Sequence, residues 1–113
     1  MNKRWQVIFY VSSSGNNPVK DFLDAADPKQ KTKILRLLFH IEEYGLQAVI
    51  PYIKKFSGTP LWEIRVVGKN SMRILFVTRM GNQIVLLHAF FKKTQKTPSR
   101  EIAIALTRFK EIC

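Results

Sequence analysis

Residues 61–91 read LWEIRVV, GKN, SMRILFVTR, MGN, QIVLLHAFF: three apolar-rich runs parted by two short turn signals. No stretch limits the fold more. Runs joined by so few residues cannot host a crossover helix, so they pair as an antiparallel meander. The first two runs alternate. Trp62, Ile64 and Val66 point one way and Glu63 and Arg65 the other; Met72, Ile74 and Phe76 point one way and Arg73, Val77 and Arg79 the other. The last run is apolar on both faces, which suits the middle of a sheet.

Around the meander the periodicity changes. Trp5–Val11 reads as a first strand and SSSGNN as a turn. Three helix starts share one device, a capping residue followed by proline: Asn17-Pro18, Asp27-Pro28 and Thr97-Pro98. The first helix is short and carries Val19, Phe22, Leu23 and Ala26. The second runs to about Tyr44, with Gly45 as its stop and Ile34, Leu37, Leu38 and Ile41 along its apolar stripe. The last runs from Pro98 towards Ile112 and carries Ile102, Ala105, Leu106 and Phe109. The expected class is α+β in the order β-α-α-β-β-β-α, a twisted antiparallel sheet packed by helices, as one domain over residues 1–113.

The first hairpin's register follows from its apolar faces. If those faces coincide, a three-residue loop at Gly68-Lys69-Asn70 pairs Val67 with Ser71, Val66 with Met72 and Arg65 with Arg73. A five-residue loop puts the two arginines on a diagonal. Either way they share one face. Like charges directly opposed cost a few tenths to about 1 kcal/mol. Either the heads part in water or an anion bridges them.

The charge balance narrows the function. The 113 residues include 19 Lys+Arg and 8 Asp+Glu, a formal charge of +11. Residues 47–100 hold ten of the basic residues and one acid, Glu63. Such an excess points to nucleic acid, an anionic surface or an acidic partner. One cysteine, Cys113, excludes an internal disulfide, and with two histidines it argues against a structural zinc site. No run approaches the ~18 apolar residues of a membrane span, and the N-terminal run alternates as a strand rather than as a signal peptide. The expectation is a cytoplasmic protein with no membrane association, metal or cofactor.

Lys92, Lys93 and Lys96 leave the last strand just before a helix start, where helix polarity attracts anions. Together with Arg65 and Arg73 they would form a concave cationic patch with Phe90 or Phe91 near its rim. An arginine fork and mobile lysines suit a phosphate backbone, and an aromatic ring can stack on an unpaired base, although both phenylalanines also fit a core. RNA carries its own nucleophile. Cleavage needs a base for the 2′-hydroxyl, stabilisation of charge on phosphorus and an acid for the leaving oxygen. A lysine crowded by cations loses proton affinity and can serve as a base. Glu63 is either a base or a counter-charge to its basic neighbours, and His88 is either a core or a catalytic histidine.

PLWEIRV, MRILFV and VLLHAFFKKTQKTPSREIAIA resemble the RelE/ParE toxin superfamily, most closely its phage-derived HigB-like branch. The resemblance spans essentially the whole chain, and F-x-K-K-T-x-K-T-P before a Glu-bearing helix is its most specific part. It implies the toxin of a type II toxin–antitoxin system: a metal-independent endoribonuclease that cleaves mRNA on the ribosome and is inhibited by a cognate helix-turn-helix antitoxin. By resemblance Arg73 matches the sheet arginine on the scissile phosphate and Arg65 a basic position on the neighbouring strand. Lys92, Lys93 and Lys96 fall on the basic segment before the last helix, and one of them is expected to supply the base or acid. Lys54 and Lys55 match a basic stretch that contacts RNA, and Arg79 and Phe91 complete the expected RNA-binding set. The chain departs from the pattern in having no tyrosine near its C-terminal end, its tyrosines being Tyr10, Tyr44 and Tyr52. Base and acid are therefore unassigned by resemblance. The alternatives are a ParE-like inhibitor of DNA gyrase and a non-catalytic RNA-binding module.

Overall fold

A computed structural model of the chain describes residues 4–66, 68, 71–93 and 96–112. Val67, Lys69, Asn70, Thr94, Gln95 and Cys113, all invoked above, lie outside the described residues. The strands are β1 (Gln6–Phe9), β2 (Ile53–Lys55), β3 (Trp62–Val66), β4 (Ser71–Arg79) and β5 (Gln83–Lys92). The helices are α1 (Pro18–Asp24), α2 (Pro28–Tyr44) and α3 (Ser99–Ile112), with a 3-10 segment at Leu46–Tyr52. The strands form one sheet in the order β1-β5-β4-β3-β2. The α+β class is as expected.

Two details differ from the expectation. The sheet is not wholly antiparallel, because β1 runs parallel to β5, with Gln6 opposite Gln83 and Phe9 opposite Leu86. The chain between them passes through two helices and the meander, which is ample for a parallel return. The sheet also has a fifth strand: β2 pairs with β3 through Ile53↔Ile64 and Lys55↔Trp62. Three residues are too few to show alternation, so Lys54-Lys55 read only as a basic stretch.

The meander register agrees with the three-residue loop. Arg65 lies opposite Arg73 and Val66 opposite Met72. β4 and β5 then pair from Ser71↔Lys92 to Arg79↔Gln83, with a shift at Leu75/Phe76, where Leu75 faces His88 and Phe76 faces Leu86. Leu87 is the extra residue of a β-bulge. The bulge reverses the alternation along β5. Ile84 and Leu86 share a side with Ala89, while Val85 and Leu87 share the other with His88, Phe90 and Lys92. Without it, Lys92 would project to the opposite side from Arg73.

Each face of the sheet has its own core. Ile64, Val66, Met72, Ile74, Phe76 and Leu86 pack under α1 and α2, against Val19, Leu23, Ile34, Leu38 and Ile41. On the other side Leu75, Val77, Val85, Leu87 and Phe90 pack under α3, against Ala105, Ile102, Leu106 and Phe109. Burial of this kind stabilises by about 25 cal/mol per Å² of apolar surface removed from water. At the end of α2 the backbone of Gly45 has φ +86, and a Cβ there would come within 2.9 Å of Trp5 Nε1. Glycine is required twice over, for the turn and for the indole packed against it.

Candidate nucleic-acid interface

The α3 face of the sheet is apolar only over half its length. Towards Lys92 the side chains on that face become Glu63 and Arg65 from β3, Arg73 from β4 and Lys92 from β5. α3 does not cover them, because its first turn is only reached at Ser99. The segment leading to it turns over the site instead. Thr97, expected to cap the helix, is used differently. Its hydroxyl donates to Glu63 Oε2 at 2.7 Å. The Pro98 carbonyl accepts from the amides of Glu101 and Ile102 and starts the helix.

Glu63 is 1 % exposed. Its Oε1 lies 3.5 Å from Arg65 Nε and 3.5 Å from Arg73 Nε. The anion that reconciles two opposed arginines is thus an internal carboxylate, the counter-charge role foreseen for Glu63. The contacts are within ion-pair range but outside hydrogen-bond geometry, and both Nε atoms are buried without a hydrogen-bond partner. Arg73 is well enclosed, its side chain 13 % exposed, and its Nη1 donates to the Met72 carbonyl at 3.0 Å. Arg65 is 42 % exposed.

Above this charged floor lies a hollow of about 340 Å³. Lys54, Arg65, Lys92 and Lys96 line it with Phe56, Thr97 and Ile102. No acid lines it. Lys54 Nζ sits 5.8 Å from the centroid of the Phe56 ring, a cation–π contact. Lys92 is a perturbed cation here. Burial lowers its proton affinity from the ordinary 10.5, and Arg73, Arg65 and Lys54 push the same way against the pull of Glu63. Arg73 is lowered too, by burial first and by Arg65, with Glu63 opposing.

Of the residues singled out in the sequence, Lys54, Arg65, Lys92 and Lys96 meet at one hollow, and Arg73 lies beneath it. Five do not join them. Lys93 is exposed just past β5 and does not line the hollow. Lys55 turns away and donates to the carbonyls of Phe56 and Thr59, closing the β2–β3 turn. Arg79 sits exposed at the far end of β4, six residues from Arg73 or roughly 20 Å along a strand. Phe91 lies on the opposite face, its ring 5.0 Å from that of Phe22 on α1, because the bulge sends it there. Phe90, 6 % exposed, belongs to the core beneath α3. Phe56, Thr97 and Ile102 line the hollow without having been singled out for it. In the sequence Thr97 reads as a cap and Ile102 as part of a helix stripe, and Phe56 carries no signal.

A second polar centre lies on the same face under α3. His88 Nε2 is 2.6 Å from Glu101 Oε1, and its ring stacks on Phe90 at 5.5 Å. Arg108 donates to the Leu87 carbonyl at 2.8 Å, next to the bulge. Burial lowers the proton affinity of His88 while Glu101 opposes the shift. These bonds tie α3 to β5, and His88 is not among the residues lining the cationic hollow.

Such a fold, a meander-centred sheet with helices on both faces, is consistent with a RelE-like fold. Residues 21–110 match the family described as Phage derived protein Gp49-like (DUF891), and the chain belongs to that family. No curated protein matches the chain. The family is one of toxins of toxin–antitoxin pairs, and membership implies an antitoxin partner. No helix among the described residues is long and apolar enough to cross a membrane.

Proposed function

We propose that the protein is an endoribonuclease toxin that cleaves mRNA at the hollow between β2, β3, β5 and the start of α3, and so blocks translation. The observation that carries the reading is the meeting of Lys54, Arg65, Lys92 and Lys96 around one phosphate-sized space, with Lys92 held below its ordinary proton affinity.

The roles follow from the chemistry of each side chain. Arg65 is the exposed, permanently charged fork. It binds the scissile phosphate and stabilises the charge that grows on the five-coordinate phosphorus. Lys92 takes the proton from the 2′-hydroxyl. The 2′-oxygen then bonds to phosphorus, and the bond to the 5′-oxygen breaks. Lys96 gives that oxygen its proton, leaving a 2′,3′-cyclic phosphate and a 5′-hydroxyl. Lys54 and the exposed Lys93 hold neighbouring phosphates. Arg73 acts from below. Its charge raises the positive potential of the floor, and with Glu63 it fixes the position of Arg65. The sequence alone favoured direct phosphate contact by a surface-facing Arg73; a side chain 13 % exposed fits the floor role better.

The deciding experiment is inducible expression with mapping of message ends. Discrete new 5′-hydroxyl ends support cleavage. Growth arrest with intact messages and gyrase bound to the protein would replace this reading with gyrase inhibition. RNA bound but uncut in vitro would reduce it to a binding module. Cleavage is expected to survive a chelator; loss under chelation with rescue by a divalent ion would contradict the roles given to the lysines.

A further inference from the structure

The largest hollow described on the protein is a different one. It has a volume of about 440 Å³ and opens between α2, the 3-10 segment and the end of β3. Lys33, Arg36 and Leu37 of α2 form one wall, at the spacing that places helix side chains on a single face. Val49 and Tyr52 form the other, and Tyr52 is 47 % exposed. As at the first hollow, no acid lines it. Arg65 lines both.

That double membership has a structural cause. β2 pairs with β3 only as far as Ile64. Arg65 and Val66 run on beyond it, beside the 3-10 segment, and Arg65 borders a hollow on each side. Arg65 is the residue the two linings share, so a polyanion held by Arg65 in the first has the second as its neighbour. The second offers what a nucleotide needs: cations at the rim for phosphate, and an apolar floor with an accessible aromatic ring for a base.

We propose that the α2-side hollow is a second RNA subsite, which takes the nucleotide one step beyond the two that flank the scissile phosphate, on one side, its base against Leu37, Val49 and Tyr52 and its phosphate between Arg36 and Lys33. The subsite rests on the nuclease reading and extends it: Arg65 becomes the hinge point of an RNA strand that bends around the sheet edge. Substrate preference one step beyond the two flanking nucleotides is set in this hollow, away from the reacting atoms.

The test compares cleavage of an RNA dinucleotide with that of oligonucleotides extended by one and two residues on either side, using wild type, Arg36→Ser and Tyr52→Ala. Both substituted residues are exposed and neither lines the hollow that holds Lys92, so the variants are expected to fold and to cut the dinucleotide as the wild type does. Extension on one side should raise kcat/KM of the wild type by about tenfold or more, the scale of one stacked base. Both variants should lose that gain. A gain retained in both variants, or no gain in the wild type, overturns the subsite and leaves the nuclease reading intact. Should the wild type cut nothing, the nuclease reading fails by itself. The subsite is then judged by fluorescence anisotropy with the same oligonucleotides, where a one-sided affinity gain lost in both variants supports it and a gain kept by both overturns it. Variants that bind every RNA normally but lose affinity for poly-L-glutamate would overturn it in favour of an acidic protein partner.

Discussion

Two charged centres sit on the same face of the sheet, one at each side of the point where α3 begins. Around His88, the carboxylate and ring make a 2.6 Å contact and Arg108 caps the bulge carbonyl, all of it serving to seat a helix. Around Glu63, one carboxylate oxygen is shared between two arginines at 3.5 Å, and two buried Nε donors have no hydrogen-bond acceptor. A structural ion pair is closed by its own groups. An arrangement with cations in surplus and donors unmet is not closed by its own groups, which is the condition the proposed RNA site needs. Local fields of this kind are where proton affinities are shifted for use, and Lys92 lies within this one.

That contrast can be broken from either side. The largest effect is expected from Glu63→Ala. Removing a buried partner strands Arg73, and should cost about 3 kcal/mol or more in urea unfolding and abolish cleavage. Unchanged stability would mean that the carboxylate does not organise the floor. Next, Arg65→Ala should lower single-turnover cleavage by about a hundredfold while the urea midpoint stays near that of the wild type, since the residue is 42 % exposed. A folded variant with full activity would remove Arg65 from both hollows.

The His88 centre should behave in the opposite sense. Glu101→Gln is expected to cost about 1 kcal/mol of stability and to leave cleavage unaltered. The histidine also gives a pH signature. Its native proton affinity lies below 6.5, chiefly through burial. The unfolded chain therefore takes up the proton first, and this contribution to stability is present above pH 6.5 and lost as the pH falls below it. Comparing urea midpoints across that range in the wild type and in His88→Phe reads it directly; an identical acid-side fall in both would assign it elsewhere. The smallest effect belongs to Asp24, an exposed carboxylate lowered from 3.8 to about 2 by its bonds to Lys20 and Lys31. Its contribution is present above 3.8 and lost as the pH falls towards about 2, and salt should screen it. Asp24→Asn should leave both centres untouched.

Much of this was readable before any coordinates. Alternation in WEIRV and SMRILFVTR put Arg65 and Arg73 on one face, opposed or diagonal according to loop length, and the helix stripes marked each helix's core residues. What escaped reading has physical reasons. β5 is apolar on both sides, so it carries no alternation from which the Leu87 bulge could be seen, and the bulge decides that Lys92 rather than Phe91 joins the arginines. β2 is too short to show a period. The Thr97 hydroxyl had two suitable partners, a helix amide and a carboxylate 34 positions earlier, and local sequence displays only the first. The hollow beside α2 depends on where β2 stops pairing, a tertiary fact with no local signal.

The central claim is that burial, reinforced by the surrounding cations against the pull of Glu63, makes Lys92 a base. The most direct measurement is the pH dependence of single-turnover RNA cleavage in the wild type and in Lys92→Met. Because the neutral amine is the active form, the wild-type rate should climb with pH and level off at an inflection below 10.5, and Lys92→Met should lose both the climb and most of the rate, about a hundredfold or more. A folded Lys92→Met that keeps the wild-type profile would contradict the account.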